Sequence, residues 1–173
     1  MTRLPSYVVA GRLFQLLLAL IPFFLGALGF VNSLRMKEHT LNSVIKPMLT
    51  MQERGLEFSL RAIHSDVAAQ LLFYGMSFAE GLAGLLALWG IVRMLRSFCR
   101  DHDEFCRAHA WARAACVWGF LVWGLGFYTL AGDYFLSWQV TTLGMLQSKG
   151  FDYAIIMAVT YLLLKAHERS ETV

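Results

Sequence analysis

The sequence predicts an all-α integral membrane protein, a four-helix bundle with an extra amphipathic helix in its first loop. Of the 173 residues, 57% are hydrophobic and only 16% are charged, whereas soluble domains carry about 25% charged residues. The apolar residues also occur in long runs, and a helix needs about 20 such residues to cross a hydrocarbon core about 30 Å thick. A soluble chain of this length is too short to bury so many apolar helices on all sides.

Three long runs predict three membrane-spanning helices. They are Leu13–Val31, Val67–Val92 and Ala114–Gly132, and Glu80 is the only charged residue within them. The fourth run, Tyr153–Leu164, rises only about 18 Å, so its helix is expected to begin earlier, in a more polar stretch. Within one membrane domain of 173 residues, the predicted helices cover about residues 8–32, 67–95, 110–132 and 147–166.

The distribution of basic residues predicts that both termini face the cytoplasm. Nine of the 15 Lys and Arg residues fall on the side of the termini and of the second loop, and six fall on the other side. Membrane proteins keep more basic residues in their cytoplasmic loops. The second loop, 93–113, is expected to be a cytosolic helical hairpin, and the first loop, 33–66, then faces outward. The nine residues are Arg3, Arg12, Arg93, Arg96, Arg100, Arg107, Arg113, Lys165 and Arg169.

The first loop contains an amphipathic pattern. Leu49, Leu56, Leu60 and Ile63 lie at helical spacing on one stripe. We therefore expect a helix that lies on the membrane surface or covers one end of the bundle, although Gly55 lowers the helix propensity of its first half.

Glu80 is the most informative single residue, because it lies near the middle of the second apolar run. Carboxylates in hydrocarbon are costly and usually face the protein interior or water. Three roles remain open: a proton or cation site, a partner for an arginine such as Arg61 or Arg12, and a protonated group that donates to a carbonyl. The small neighbours Gly81 and Gly84 would allow another helix to approach closely.

Several function classes receive no support from the sequence. Cys99, His102, Cys106 and His109 resemble a metal motif, but on one helix the first and last lie about 15 Å apart, too far for one tetrahedral zinc ion. No catalytic triad, phosphate loop or dinucleotide fingerprint is present. We therefore expect no enzyme activity, no metal and no cofactor. A net charge of +3 also argues against nucleic-acid binding.

Four short motifs, spread along the chain, carry a family resemblance. They are Gly29–Asn32, Leu60–Ile63, Ala79–Leu82 and Gly132–Gln139. With them, residues from about 12 to 165 resemble the bacterial "predicted small integral membrane protein" family, domain of unknown function 2165. The sequence departs from the family pattern at Ser137, where Met is typical, and at Leu60, where Trp is frequent. The resemblance implies four helices in the inner membrane of a Gram-negative bacterium, and it implies no activity.

The resemblance also points to a polar cluster at the outer ends of the helices. Its members are Asn32, Arg61, Asp133, Trp138 and Gln139. Arg61 paired with Asp133 is the expected centre of a site open to the periplasm. The alternative is a structural network that holds the helix ends together.

Two hypotheses for the function follow. The first is a non-catalytic accessory or assembly subunit of a larger membrane complex, whose partners are the lipid bilayer and other membrane subunits or further copies of itself. The second is a small oligomeric transporter or channel that uses Glu80 as an intramembrane proton or cation site. A quinone-binding, lipid-binding or enzymatic role has the least support. The substrate, partner and oligomeric state do not follow from the sequence.

Overall fold

The computed structural model describes residues 5–170, and the side chains of residues 5–166. These residues are helical over most of their length and contain no β-strand, which confirms the all-α prediction. Arg3 and the Arg169 side chain, which entered the prediction of orientation, lie outside the described part. The helices are α1 Ser6–Arg35, α2 Lys37–Thr40, a π-helix Leu41–Ile45, α3 Lys46–Thr50, a 3-10 helix Gln52–Arg54, α4 Asp66–Arg96, α5 His102–Phe120, a π-helix Leu121–Tyr134, a 3-10 helix Ser137–Gln139, and α6 Thr141–Ser170.

Helices α1 and α4 pack most extensively, and they cross where both carry glycine. A Cβ atom added at Gly26 would lie 2.7 Å from the Glu80 carbonyl oxygen and 2.8 Å from the Gly84 Cα. Only a residue without a side chain allows the two backbones to approach this closely. This crossing places the second half of α1 against the middle of α4.

Helix α5 continues without a break into the π-helix Leu121–Tyr134, and α6 returns antiparallel along it. Gly119 lies beside Met157, Gly124 beside Ala154, and Gly150 beside Phe127. Helix α1 contacts α4, α5 and α6, and α5 lies between α4 and α6. The turn 97–101 lies at one end of the molecule and the segment 36–65 at the other.

The amphipathic helix predicted for the first loop does not form, and the helical part of this loop lies earlier in the chain. Helical structure instead runs from Lys37 to Thr50 and ends at Met51, whose φ is +52°. Gly55 also has a left-handed backbone, with φ +65°, and Leu60 is fully exposed. The stripe that does become buried is Leu41, Ile45, Met48 and Leu49, which packs with Ala69, Phe73 and Leu143.

Within residues 5–170, three helices are long and apolar enough to cross a membrane: Ser6–Arg35, Asp66–Arg96 and the continuous helix His102–Tyr134. These correspond to the three long apolar runs of the sequence. Helix α6 has 30 residues, a sufficient length, but it is not among the candidate spans found in the described residues. It begins at Thr141, six residues earlier than expected, so its first turns mix polar and small residues with Leu143, Met145 and Leu146.

Candidate functional site: a buried carboxylate between three helices

The Glu80 side chain lies inside the protein at the interface of α1 and α4. It is only 6% exposed, and the Ser33 hydroxyl donates a hydrogen bond of 3.0 Å to its Oε2. One turn before Ser33, a Cβ atom added at Gly29 would lie 3.1 Å from the carboxyl carbon. Gly29 therefore leaves the space that the carboxyl group occupies, and Ser33 supplies a donor beside it.

A third helix also contacts this carboxyl group. Trp123, on the π-helix Leu121–Tyr134, is 2% exposed, and its side chain lies beside the Glu80 carboxyl group. One turn earlier on the same continuous helix, the Trp118 indole donates to the Ala79 carbonyl over 2.8 Å. Glu80 thus connects α1, α4 and the third long helix. An enclosed carboxyl group that contacts side chains of two other helices is suited to holding the helices in register.

The arginines considered as partners for Glu80 lie elsewhere. Arg12 is 2% exposed, and its Nη1 donates to the carbonyls of Phe98 and Arg100 over 2.6 and 2.8 Å. Its guanidinium carbon also lies 4.7 Å from the Phe105 ring centre. Among the described side chains, no arginine forms an ion pair with Glu80. In the described part of the structure, neither Arg12 nor Arg61 pairs with Glu80.

The five residues of the predicted outer cluster are all exposed. Arg61 Nη1 donates to the Tyr134 carbonyl over 3.3 Å, and its guanidinium lies 5.4 Å from the Tyr134 ring centre. Within the described residues Arg61 makes no ion pair with Asp133. The side chains of Asn32, Trp138 and Gln139 are exposed at the same end of the molecule. The structure therefore joins Arg61 to the residue after Asp133, and not to Asp133 itself.

A small cavity of about 130 Å³ lies near this end and was not expected from the sequence. Its lining includes Lys46, Thr50, His64 and Asp66, and Lys46 Nζ lies 2.7 Å from Asp66 Oδ1. This ion pair joins α3 to the start of α4. Glu80 lines neither this cavity nor the larger one at the other end, so neither of the two gives water a path to it.

Sequence reasoning missed Ser33 and Trp123 as partners of Glu80. A signal for Ser33 was present, since Gly26, Gly29 and Ser33 form a stripe of small residues on one side of α1. No comparable signal identified Trp123, because its direction depends on the π-helical backbone of residues 121–134.

The cysteine and histidine motif is spread over the start of α5. Cys106 Sγ lies 3.3 Å from His102 Nε2, whereas Cys99 is exposed in the preceding turn and His109 is buried in the core. In the described part of the chain, no three such residues lie together in a way that could hold a metal ion.

The packed apolar helices and the enclosed carboxyl group define a small helical integral membrane protein. The comparison with protein families makes this assignment more specific. The chain belongs to the family described as "Predicted small integral membrane protein (DUF2165)", whose model matches residues 11–167. This confirms the resemblance found in the sequence. No curated protein matches the chain, and no solved structure matches it.

Proposed function

We propose that this protein is a non-catalytic accessory or assembly subunit of a larger complex in a bacterial inner membrane. In this proposal all four long helices cross the bilayer, both termini face the cytoplasm, and α6 binds a partner subunit. The observation that carries the proposal is the polar surface of α6, which lies beside the apolar part of the third long helix.

The packing of α6 supports a position of its polar residues within the membrane. Gly150 lies next to the Trp123 carbonyl and to Phe127. Both belong to the apolar run 114–132, which includes no charged residue. Lys149 and Asp152 flank Gly150, so they lie alongside the membrane-crossing part of the neighbouring helix and not beyond its end.

These two side chains point away from the rest of the chain. Lys149 Nζ lies 3.4 Å from Asp152 Oδ2, and the side chains are 66% and 54% exposed. A charged residue at the centre of a membrane helix costs about 2.5–3.5 kcal/mol on insertion scales. A protein surface that covers the pair and offers it hydrogen bonds would remove part of that cost. Lipid chains offer none.

The same face continues along α6. Ile156, Val159 and Leu163 follow Asp152 at spacings of four, three and four residues, and all three are exposed. Repeated three- and four-residue steps form a stripe suited to packing against another helix. The proposed interface therefore combines one ion pair with an apolar stripe. The environment of Glu80, held by Ser33 and Trp123, also supports a structural role over a transport pathway.

Photo-crosslinking in the native membrane tests this proposal directly. A photoreactive phenylalanine analogue would replace Phe151, which adjoins Asp152 and is 45% exposed, and in a matched control it would replace Phe24 on α1, which is 51% exposed. We expect a discrete crosslink to another protein from position 151 and none from position 24. Mild-detergent purification with mass spectrometry would then identify that partner in a fixed stoichiometry.

Two results would contradict the proposal. Crosslinking to lipid alone from both positions would mean that the α6 face has no protein partner. A crosslink from position 151 to a second copy of this chain, with no other protein in the purified complex, would replace the accessory role with a homo-oligomer. In that case the proton or cation role of Glu80 would become the next question.

A further inference from the structure

A basic pocket of about 280 Å³ lies where α4 ends and turns into α5. Its lining includes Trp89, Arg93, Arg96, Arg100 and Glu104. None of these residues belongs to the environment of Glu80 or to the exposed face of α6. The pocket is therefore a feature that the proposed subunit role does not explain.

The pocket carries an excess of positive charge. Arg100 Nη1 lies 3.2 Å from Glu104 Oε1, so these two charges compensate each other. Arg93 and Arg96 are exposed, and within the described side chains neither forms an ion pair. Residues three apart on a helix are neighbours on its surface. Two uncompensated guanidinium groups at this spacing can bind the oxygens of one phosphate together.

The carbonyl groups at the end of α4 would ordinarily repel an anion, because a helix carries partial negative charge at its C-terminus. Here a carbonyl of the last turn of α4 and two carbonyls of the turn 97–101 already accept side-chain hydrogen bonds. The Ser97 hydroxyl donates to the Arg93 carbonyl over 2.9 Å, and the buried Arg12 donates to the carbonyls of Phe98 and Arg100. Arg12 also adds a fixed positive charge next to Arg100, which lines the pocket. The electrostatic potential inside the pocket therefore favours an anion.

The position of the pocket relative to the membrane favours a lipid as the source of that anion. Arg93 directly follows the apolar run 67–92, so the pocket begins where the membrane-crossing part of α4 ends. Trp89, one turn earlier, is 45% exposed. Tryptophan at such a boundary prefers the level of the lipid headgroups and glycerol. The pocket is thus basic toward water and aromatic toward the membrane.

We propose that this pocket binds the phosphate of an anionic phospholipid headgroup. Arg93 and Arg96 hold the phosphate oxygens, Arg100 completes the basic rim while paired with Glu104, and Trp89 packs against the glycerol and the first carbons of the chains. Basic clusters beside a membrane helix are a recognised way of selecting anionic lipids.

Native mass spectrometry of the detergent-purified full chain tests the site. Phosphatidylglycerol and phosphatidylcholine would each be titrated against the wild type and against the double variant Arg93→Gln/Arg96→Gln. The matched control is Arg35→Gln/Arg107→Gln, which removes the same charge from two exposed positions outside the pocket. We expect the pocket variant to bind phosphatidylglycerol about tenfold more weakly than the wild type, and the control to change less than about twofold.

Each other outcome would overturn the proposal in a specific way. Equal weakening by both double variants would mean that the protein attracts anionic lipid by its overall charge alone. Equal affinity for the two lipids would mean that the pocket does not select the headgroup charge. Displacement of the bound lipid by excess inorganic phosphate would make free phosphate the ligand. Because both pocket arginines are exposed, melting curves that match the wild type would show that lost binding does not reflect unfolding.

Discussion

The close crossing of α1 and α4 makes a strong prediction about two glycines on the same helix. A Cβ atom at Gly84 would lie 2.8 Å from the Ala27 amide nitrogen and 3.2 Å from the Gly26 carbonyl carbon. Both are backbone atoms, which cannot rotate away as a side chain can. A Cβ atom at Gly75, also on α4, would have no atom within 4 Å.

The magnitude follows from these distances. Ordinary Cβ contacts begin at 3.4 Å, so α1 would have to move by 3.4 − 2.8 = 0.6 Å to accommodate Gly84→Ala. Overpacking of this kind costs about 1–3 kcal/mol. Both substitutions also gain about 1 kcal/mol of helix propensity, and this gain cancels in the comparison. Gly84→Ala should therefore be less stable than Gly75→Ala by about 1–3 kcal/mol.

The assay is thermal unfolding of both variants in one detergent, followed by far-UV circular dichroism. For a chain of this size, 1 kcal/mol corresponds to about 2–4 °C in the melting midpoint. We expect Gly84→Ala to melt about 5 °C below Gly75→Ala, and Gly75→Ala to melt at or above the wild type. Equal midpoints for the two variants would refute the close crossing at Gly84.

Three further predictions concern polar contacts. Glu80→Ala should cost about 1–3 kcal/mol because it leaves the half-buried Ser33 donor unpaired. A double-mutant cycle with Ser33→Ala should give a coupling energy of about 0.5–3 kcal/mol. Arg12→Lys should lower the melting midpoint by several degrees, since lysine lacks the planar group that serves two loop carbonyls and a ring. The hydrogen bond to Tyr74 raises the pKa of Lys37 above its ordinary 10.5, so the stabilisation from this contact is complete below pH 10.5 and is lost as the pH rises through the raised value.

Each of these predictions has a control or an outcome that would contradict it. Arg35→Lys should leave the melting midpoint unchanged, because Arg35 is exposed at the end of α1. Additive effects of the Ser33 and Glu80 substitutions would show that the two side chains do not interact. A Lys37→Met variant should lose less stability than the wild type between pH 9 and pH 12. An identical loss would assign the alkaline effect to other groups.

The sequence by itself determined the helical class, the three candidate spans and the family. The reason is physical: a long apolar run in lipid must satisfy all its backbone hydrogen bonds within itself, and a single segment can do so only as a helix. The depth of Glu80 in α4 also followed from counting residues. Each of these conclusions depends on neighbours along the chain, which the sequence shows directly.

Only the tertiary structure decided which side chains meet. Ser33 and Glu80 are 47 residues apart, and Arg12 and Phe98 are 86 apart, so no local pattern relates them. The first loop shows the same limit. Its leucine spacing suited a helix over 49–63, but burial of Leu41 and Ile45 against Phe73 favoured a helix that ends at Thr50. Contacts between distant segments supplied the free energy that chose between these local alternatives.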